Sequence, residues 1–109
     1  MGSIPEIDDE TFEIKVLHAE LPVLVDFGAE WCHPCKQLDP IVEELSEEWL
    51  GKIKVFKLDV DANVNTTMNY GVMGVPSLIL FVNGEPVERM TGLVPRKRIV
   101  DAVEPHLDL

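Results

Sequence analysis

The chain has 109 residues, 46% of them apolar, and carries 20 acidic against 9 basic side chains for a net charge of −11. That length supports one domain with a real core, and that composition excludes disorder. The charge makes nucleic-acid backbones and anionic membranes poor partners, and without an 18-residue apolar run no membrane-spanning helix is expected.

No basic-then-apolar leader opens the sequence, so a cytoplasmic location is expected, although a mature chain trimmed from a precursor reads the same way. A single domain over 1–109 is expected, with Met1-Gly2-Ser3 either native or a cloning remnant.

Residues 4–7 read as a short edge strand, where Pro5 is tolerated. Asp8 and Asp9 offer an N-cap to a helix running to about residue 19, with Phe12, Val16 and Leu17 toward the core and His18 toward solvent. Residues 21–27 are rich in β-branched and aromatic side chains and read as a buried strand opening at Pro22. Residues 37–50 place Leu38, Ile41, Val42, Leu45 and Trp49 at helical spacing, with Glu43, Glu44, Glu47 and Glu48 on the solvated face. Pro40 removes a hydrogen bond there and is expected to split the helix into a short first turn and a longer anchoring part. Gly51 stops it.

Residues 53–60 form the next strand, interrupted by Lys57 and Asp59. A short helix follows, capped by Asp61 and ended by Gly71. Residues 78–82 are a second fully apolar strand, Asn83-Gly84 is a strong hairpin signal, and 87–91 is the return strand. Pro95 opens the last helix, whose buried stripe is Ile99, Val100, Val103 and Leu107, and Pro105 kinks or ends it. Arg96-Lys97-Arg98 reads as a solvated face or as a docking point for an acidic partner. The order βαβαβαββα implies an α/β fold: a central mixed sheet of about five strands, parallel at first, flanked by four helices on both faces.

The only two cysteines lie in Trp31-Cys32-His33-Pro34-Cys35-Lys36, where the strand over 21–27 gives way to a helix. Sites in such sheets form beyond the carboxyl ends of the strands. Cys32 then stands at a helix N-terminus, whose unpaired N–H groups and positive dipole end favour an anion. The thiolate is such an anion and is the reactive form of cysteine. Pro34 suits the first turn, where its missing N–H leaves nothing unpaired. Cys35 follows one turn on, so the sulfurs can meet. One thiolate can attack a substrate disulfide and the other can resolve the mixed disulfide.

A structural disulfide closing so short a loop would contribute only about 2 kcal/mol. Zinc needs four ligands, and His18 and His106 lie outside a finger-like spacing from Cys32, His33 and Cys35. Redox exchange is the favoured reading, with metal binding and an inert pair as the alternatives. Asp26 stands in a buried apolar strand, where its pKa should rise; the alternative is an acid at a wet strand end. With no Gly-rich phosphate loop, no cofactor is expected in the chain.

Further segments join the cysteine motif: Val25-Asp26-Phe27, Ala29-Glu30-Trp31-Cys32 with Pro34-Cys35-Lys36, Pro40, and Lys57 with Asp59-Val60-Asp61. Later ones are Tyr70-Gly71-Val72, Gly74-Val75-Pro76, Phe81 with Asn83-Gly84, and Gly92. In these the chain resembles the thioredoxin family over nearly its whole length. The resemblance implies the thioredoxin fold and a dithiol–disulfide oxidoreductase acting on protein disulfides. It also implies recharging by a flavin-dependent thioredoxin reductase, and a monomer is the default for so small a carrier. Cys32 would be the exposed nucleophile and Cys35 the buried resolving thiol. Asp26 would exchange a proton with Cys35, with Lys57 nearby. A cis Val75–Pro76 bond would pack beside the cysteines, and the Val75 backbone would pair with an extended substrate. Trp31, His33, Pro34, Val75, Pro76, Gly92 and Leu93 would make the recognition surface, although Gly92 also fits plain turn duty.

The departures from the family pattern bear on potential and substrate range. His33 stands where Gly is usual; if protonated it would favour the Cys32 thiolate and shift the couple modestly toward oxidising. That motivates the runner-up reading of an oxidase or isomerase. A binding module using the apolar groove without turnover is the third. Gly28 replaces an aromatic residue and would loosen the active-site loop. Met73 would extend the groove, and Ser77 and Val94 also differ from common choices.

Overall fold

Residues 4–108 are described by a computed structural model. Strand β1 (Val23–Gly28) lies between β2 (Lys54–Asp59) and β3 (Ser77–Val82), and β4 (Glu85–Thr91) closes the far edge, in the order β2-β1-β3-β4. β1 and β2 are parallel; β1/β3 and β3/β4 are antiparallel. The α/β class and mixed sheet agree with the sequence reading, but the sheet has four strands rather than about five. The segment over 4–7 makes only a single parallel bridge, Glu6 to Lys57. The Ile7 N–H donates to Lys57 O and the Lys57 N–H to Pro5 O, each at 2.9 Å. Pro5 has no N–H to extend the ladder, and the chain turns at Asp8 immediately afterwards.

Strand parity sorts the core into two layers. Val23, Val25 and Phe27 of β1 point with Phe56, Leu58, Ile79 and Phe81 to one face, against Phe12 and Val16 of the N-terminal helical segment. Leu24 points with Val55, Leu78 and Leu80 to the other, beneath helices α1 (His33–Glu48) and α3 (Arg96–Val103). α1 contributes Leu38, Val42 and Leu45, and buried Trp49 follows it.

Several local expectations are corrected. β1 begins at Val23; Pro22 only offers its carbonyl, to the Lys54 N–H at 2.9 Å. α1 runs unbroken through Pro40, because buried side chains on both sides of the proline are anchored in the same layer. The N-terminal helix shrinks to a turn capped by Asp8, which accepts the Thr11 N–H at 2.8 Å, and a π-helix over Glu13–Leu17. Asp9 caps a different helix: its carboxylate accepts the N–H groups of Thr66 at 2.9 Å and Asn65 at 3.3 Å in α2 (Val64–Asn69). The expected cap, Asp61, is free for another use. α3 begins at Arg96, with Pro95 as its N-cap, and passes at Pro105 into a 3-10 turn over Glu104–His106. β4 starts at Glu85, two residues early, because its edge position tolerates Pro86. In the basic cluster, Arg96 pairs with Glu44 and Glu48 and Lys97 with Asp101, which fits a solvated face.

The hairpin Asn83-Gly84 forms as expected, with φ of 54° and 81°. A Cβ at Gly84 would lie 2.8 Å from the Leu17 carbonyl oxygen. Gly84→Ala therefore combines backbone strain with a backbone clash, and we expect it to cost about 2 kcal/mol or more, read as a fall in the urea midpoint. An unchanged midpoint would mean that the hairpin does not pack against the N-terminal segment.

Candidate active site

The site lies where β1 and β2 end and β3 begins. Register sets this: Gly28 pairs with Asp59, and Phe27 pairs with Ser77, so Pro76 stands at the same edge. The Val75–Pro76 bond is cis, and Pro76 is buried while Val75 is partly exposed. The Gly92 N–H donates to Pro76 O at 2.8 Å, and Gly92 has φ of +92°. The turn itself thus requires a glycine at 92.

Cys32 and Cys35 form a disulfide, with Cα atoms 5.3 Å apart. Cys32 is the N-cap of α1, and its Sγ accepts the Cys35 N–H at 3.2 Å. Sulfur therefore takes the place that a Ser or Asp oxygen usually fills, on one of the unpaired N–H groups of the first turn. The expected contrast in exposure is not found. Cys32 is 3% exposed and Cys35 5%. What separates them is their surroundings. Cys32 faces the helix end, whereas the Cys35 sulfur lies 3.4 Å from where a Gly28 Cβ would be. With no side chain at position 28, the space between Cys35 and the sheet stays open.

That space is a cleft of about 180 Å³, lined among others by Asp26, Gly28, Cys35, Asp39 and Lys57. Parity explains its floor. Asp26 and Gly28 share a face with Leu24, the face beneath α1, and Lys57 is the register partner of Asp26. The roof follows from the helix: Asp39 lies one turn beyond Cys35, at i+4, on the same stripe.

Asp26 is 2% exposed and its Oδ2 has no hydrogen-bond partner. Burial, then the charge of Asp39, pushes its carboxyl up to about 7, with the Lys57 charge opposing. The wet-strand-end alternative is thereby excluded. Lys57 does not bond Asp26; its Nζ lies 2.9 Å from Asp39 Oδ2. Burial pulls the Lys57 ammonium down, but the hydrogen bond and charge of Asp39, with Asp26 and Glu6 behind them, outweigh it and raise it.

Around the rim, Trp31 is 70% exposed and its Nε1 donates to Asp61 Oδ2 at 2.7 Å. His33, Pro34 and Leu93 are also exposed, and Met73 is 97% so. Two residues of the site escaped the sequence reading: Asp39, whose signal was the i+4 spacing from Cys35, and Asp61, which orients Trp31 instead of capping a helix. Among the described residues, no group of three or more His, Cys, Asp or Glu is placed to hold a metal ion.

A cysteine pair able to cycle between dithiol and disulfide at a helix N-terminus, over a buried acid, makes this α/β protein a thiol–disulfide oxidoreductase. Known proteins narrow that class. The family model described as thioredoxin matches residues 3–105. Thioredoxin of Synechocystis sp. is 42% identical over 107 residues, covering 98% of this chain and all of that protein. Thioredoxin of Rickettsia conorii is 47% identical over 93 residues, covering 85% of this chain and 89% of the relative. A chloroplastic M-type thioredoxin of Brassica napus is 44% identical over 104 residues, 95% of this chain and 59% of the relative. The chain belongs to the thioredoxin family. Membership brings protein disulfides as substrates and a thioredoxin reductase as electron donor.

Proposed function

We propose that the protein is a general disulfide reductase of the cytoplasm, working as a monomer and recharged by a flavin-dependent thioredoxin reductase. The observation that supports this best is the seat of Cys32, whose Sγ accepts the Cys35 N–H at the start of α1. The same N–H and helix dipole would stabilise a thiolate there once the pair is reduced.

In the proposed cycle, the Cys32 thiolate attacks a substrate disulfide. That S–S bond breaks, one substrate thiolate leaves, and Cys32 is joined to the substrate in a mixed disulfide. Cys35 passes its thiol proton to the Asp26 carboxylate across the cleft, and its thiolate attacks Cys32 Sγ. The second substrate thiolate leaves as the Cys32–Cys35 disulfide forms. Two electrons have passed to the substrate, and Asp26 later releases its proton to solvent. Lys57 tempers the charge of the acids in the cleft. Trp31, His33, Pro34, Val75, Pro76 and Leu93 would contact the substrate, with the Val75 backbone pairing with its extended segment; Gly92 holds the turn against Pro76.

The test is the redox midpoint of the cysteine pair in thiol buffers of graded potential. A midpoint within the cytosolic glutathione range, about −220 to −320 mV, supports the reductase. One near about −120 to −180 mV moves the assignment to an oxidase or isomerase. If the thiols never exchange, a binding module replaces the enzyme.

His33 keeps the oxidising alternative in view, because it is exposed at the first position of α1, next to Cys32. His33→Gly removes the imidazole next to Cys32. We expect a midpoint about 10–20 mV more reducing, since 30 mV is about 1.4 kcal/mol for this couple. An unmoved or raised midpoint would show that His33 does not tune the pair.

A further inference from the structure

Asp39 does nothing in the cycle just described, yet it lines the same cleft as Asp26 and Cys35. It hangs from α1 one turn beyond Cys35, and its Oδ2 holds the Lys57 ammonium at 2.9 Å. Lys57 is paired in register with Asp26, a position from which a cation could neutralise that buried acid directly. The ammonium turns to Asp39 instead, and Asp26 Oδ2 is left without a hydrogen-bond partner. As a half-exposed ion pair, Asp39–Lys57 contributes little to stability. Its effect falls on the cleft.

We infer that Asp39 is a positioning residue for disulfide exchange: it draws Lys57 away from Asp26 and adds its own negative charge beside it, and so decides when Asp26 can take the Cys35 proton. The inference rests on the proposed role of Asp26 as the base for Cys35. Two effects of Asp39 act in one direction. Its charge disfavours a second carboxylate nearby, and its hydrogen bond keeps the Lys57 ammonium from bonding Asp26, so that the lysine opposes the shift only in part. Both keep Asp26 protonated to higher pH, in agreement with the direction of the shift on Asp26.

The other charged groups of the cleft do not cancel this. Lys36 on α1 is exposed, as is Glu30 in the loop before the cysteines. Glu6 comes from the N-terminal segment and Asp59 from β2, both of them acids. On the β3 side the register partner of Asp26 is Leu78, which carries no charge. Lys57 is thus the partly buried cation of the set, and Asp39 holds it.

The experiment follows the Asp26 carboxyl carbon by NMR across pH in the reduced protein, alongside the pH profile of mixed-disulfide resolution. Asp39→Asn is expected to lower the Asp26 midpoint by about one pH unit or more and to move the acid limb of the rate profile with it. Asp39→Glu should restore both. Lys57→Gln should move the midpoint the opposite way, upward, because the neighbouring acid then acts unopposed. A merely structural ion pair would give neither the opposite signs nor the rescue. If Asp39→Asn leaves the Asp26 midpoint in place, or if both variants move it in one direction, the inference is overturned. If the midpoint moves as expected but the rate profile does not, Asp39 governs Asp26 as inferred and the assignment of Asp26 as base is what fails.

Discussion

Cys35→Ser is expected to arrest the protein as a covalent complex with its substrate. The first attack needs only the Cys32 thiolate, which the N–H groups at the start of α1 still stabilise. The second step needs a thiol at position 35, one helical turn away, and a serine hydroxyl cannot replace it at neutral pH. Turnover should fall by at least about a thousandfold while a mixed disulfide accumulates, visible as added mass that dithiothreitol removes. Cys32→Ser should lose turnover to a similar extent and accumulate no adduct. The contrast matters here because exposure does not distinguish the two sulfurs, at 3% and 5%. If Cys32→Ser traps substrate instead, the roles are reversed. If both serine variants keep partner affinity and biological function, the groove acts without turnover.

Asp26→Asn is expected to stabilise the fold and slow the chemistry. Burial and the Asp39 charge hold the Asp26 carboxyl up at about 7 from its ordinary 3.8. Between these values the unfolded chain ionises Asp26 and the folded protein does not. The folded state binds more protons there, so stability falls as pH rises from about 4 to 7 and stays at its lower level above. That difference amounts to about 4 kcal/mol at pH 8. Asparagine has nothing to ionise. The variant should therefore gain about 2–4 kcal/mol over wild type at pH 8 and almost nothing at pH 4, as read from urea midpoints at both pH values. Resolution of the mixed disulfide should slow by about tenfold or more, since general-base help is withdrawn. Unchanged exchange rates would remove Asp26 from the mechanism. A stability gain equal at both pH values would mean that its ionisation is not what the fold opposes.

Much of this was legible from local pattern. The apolar runs over 21–27 and 78–82, the Asn83-Gly84 turn and the glycines after α1 and α2 each act within a few residues. The forces that make them structural are present before the chain folds. Proline was less legible. Pro40 did not divide α1 and Pro5 did shorten an edge, because the cost of a missing N–H depends on what packing surrounds it. Acids were least legible. Asp9 caps α2 from a distant turn, and Asp61 holds the Trp31 indole. A carboxylate takes whichever donor the fold brings near.

The α/β class, the alternation of strand and helix from residue 21 onward and the chemistry of Cys32 and Cys35 follow from the sequence alone, since hydrophobic periodicity and a two-residue cysteine spacing are local properties. The family resemblance set Lys57 near Asp26 and Cys35, but it took the packed fold to bring Asp39 into that cleft and to pair it with the lysine. Strand parity turns Asp26 toward α1, the parallel register sets Lys57 beside it, and the helix repeat lowers Asp39 onto both. Each of these is a local rule, but their convergence depends on how β1, β2 and α1 pack. The proton balance of the site follows from the distances among those charges rather than from their presence in the chain.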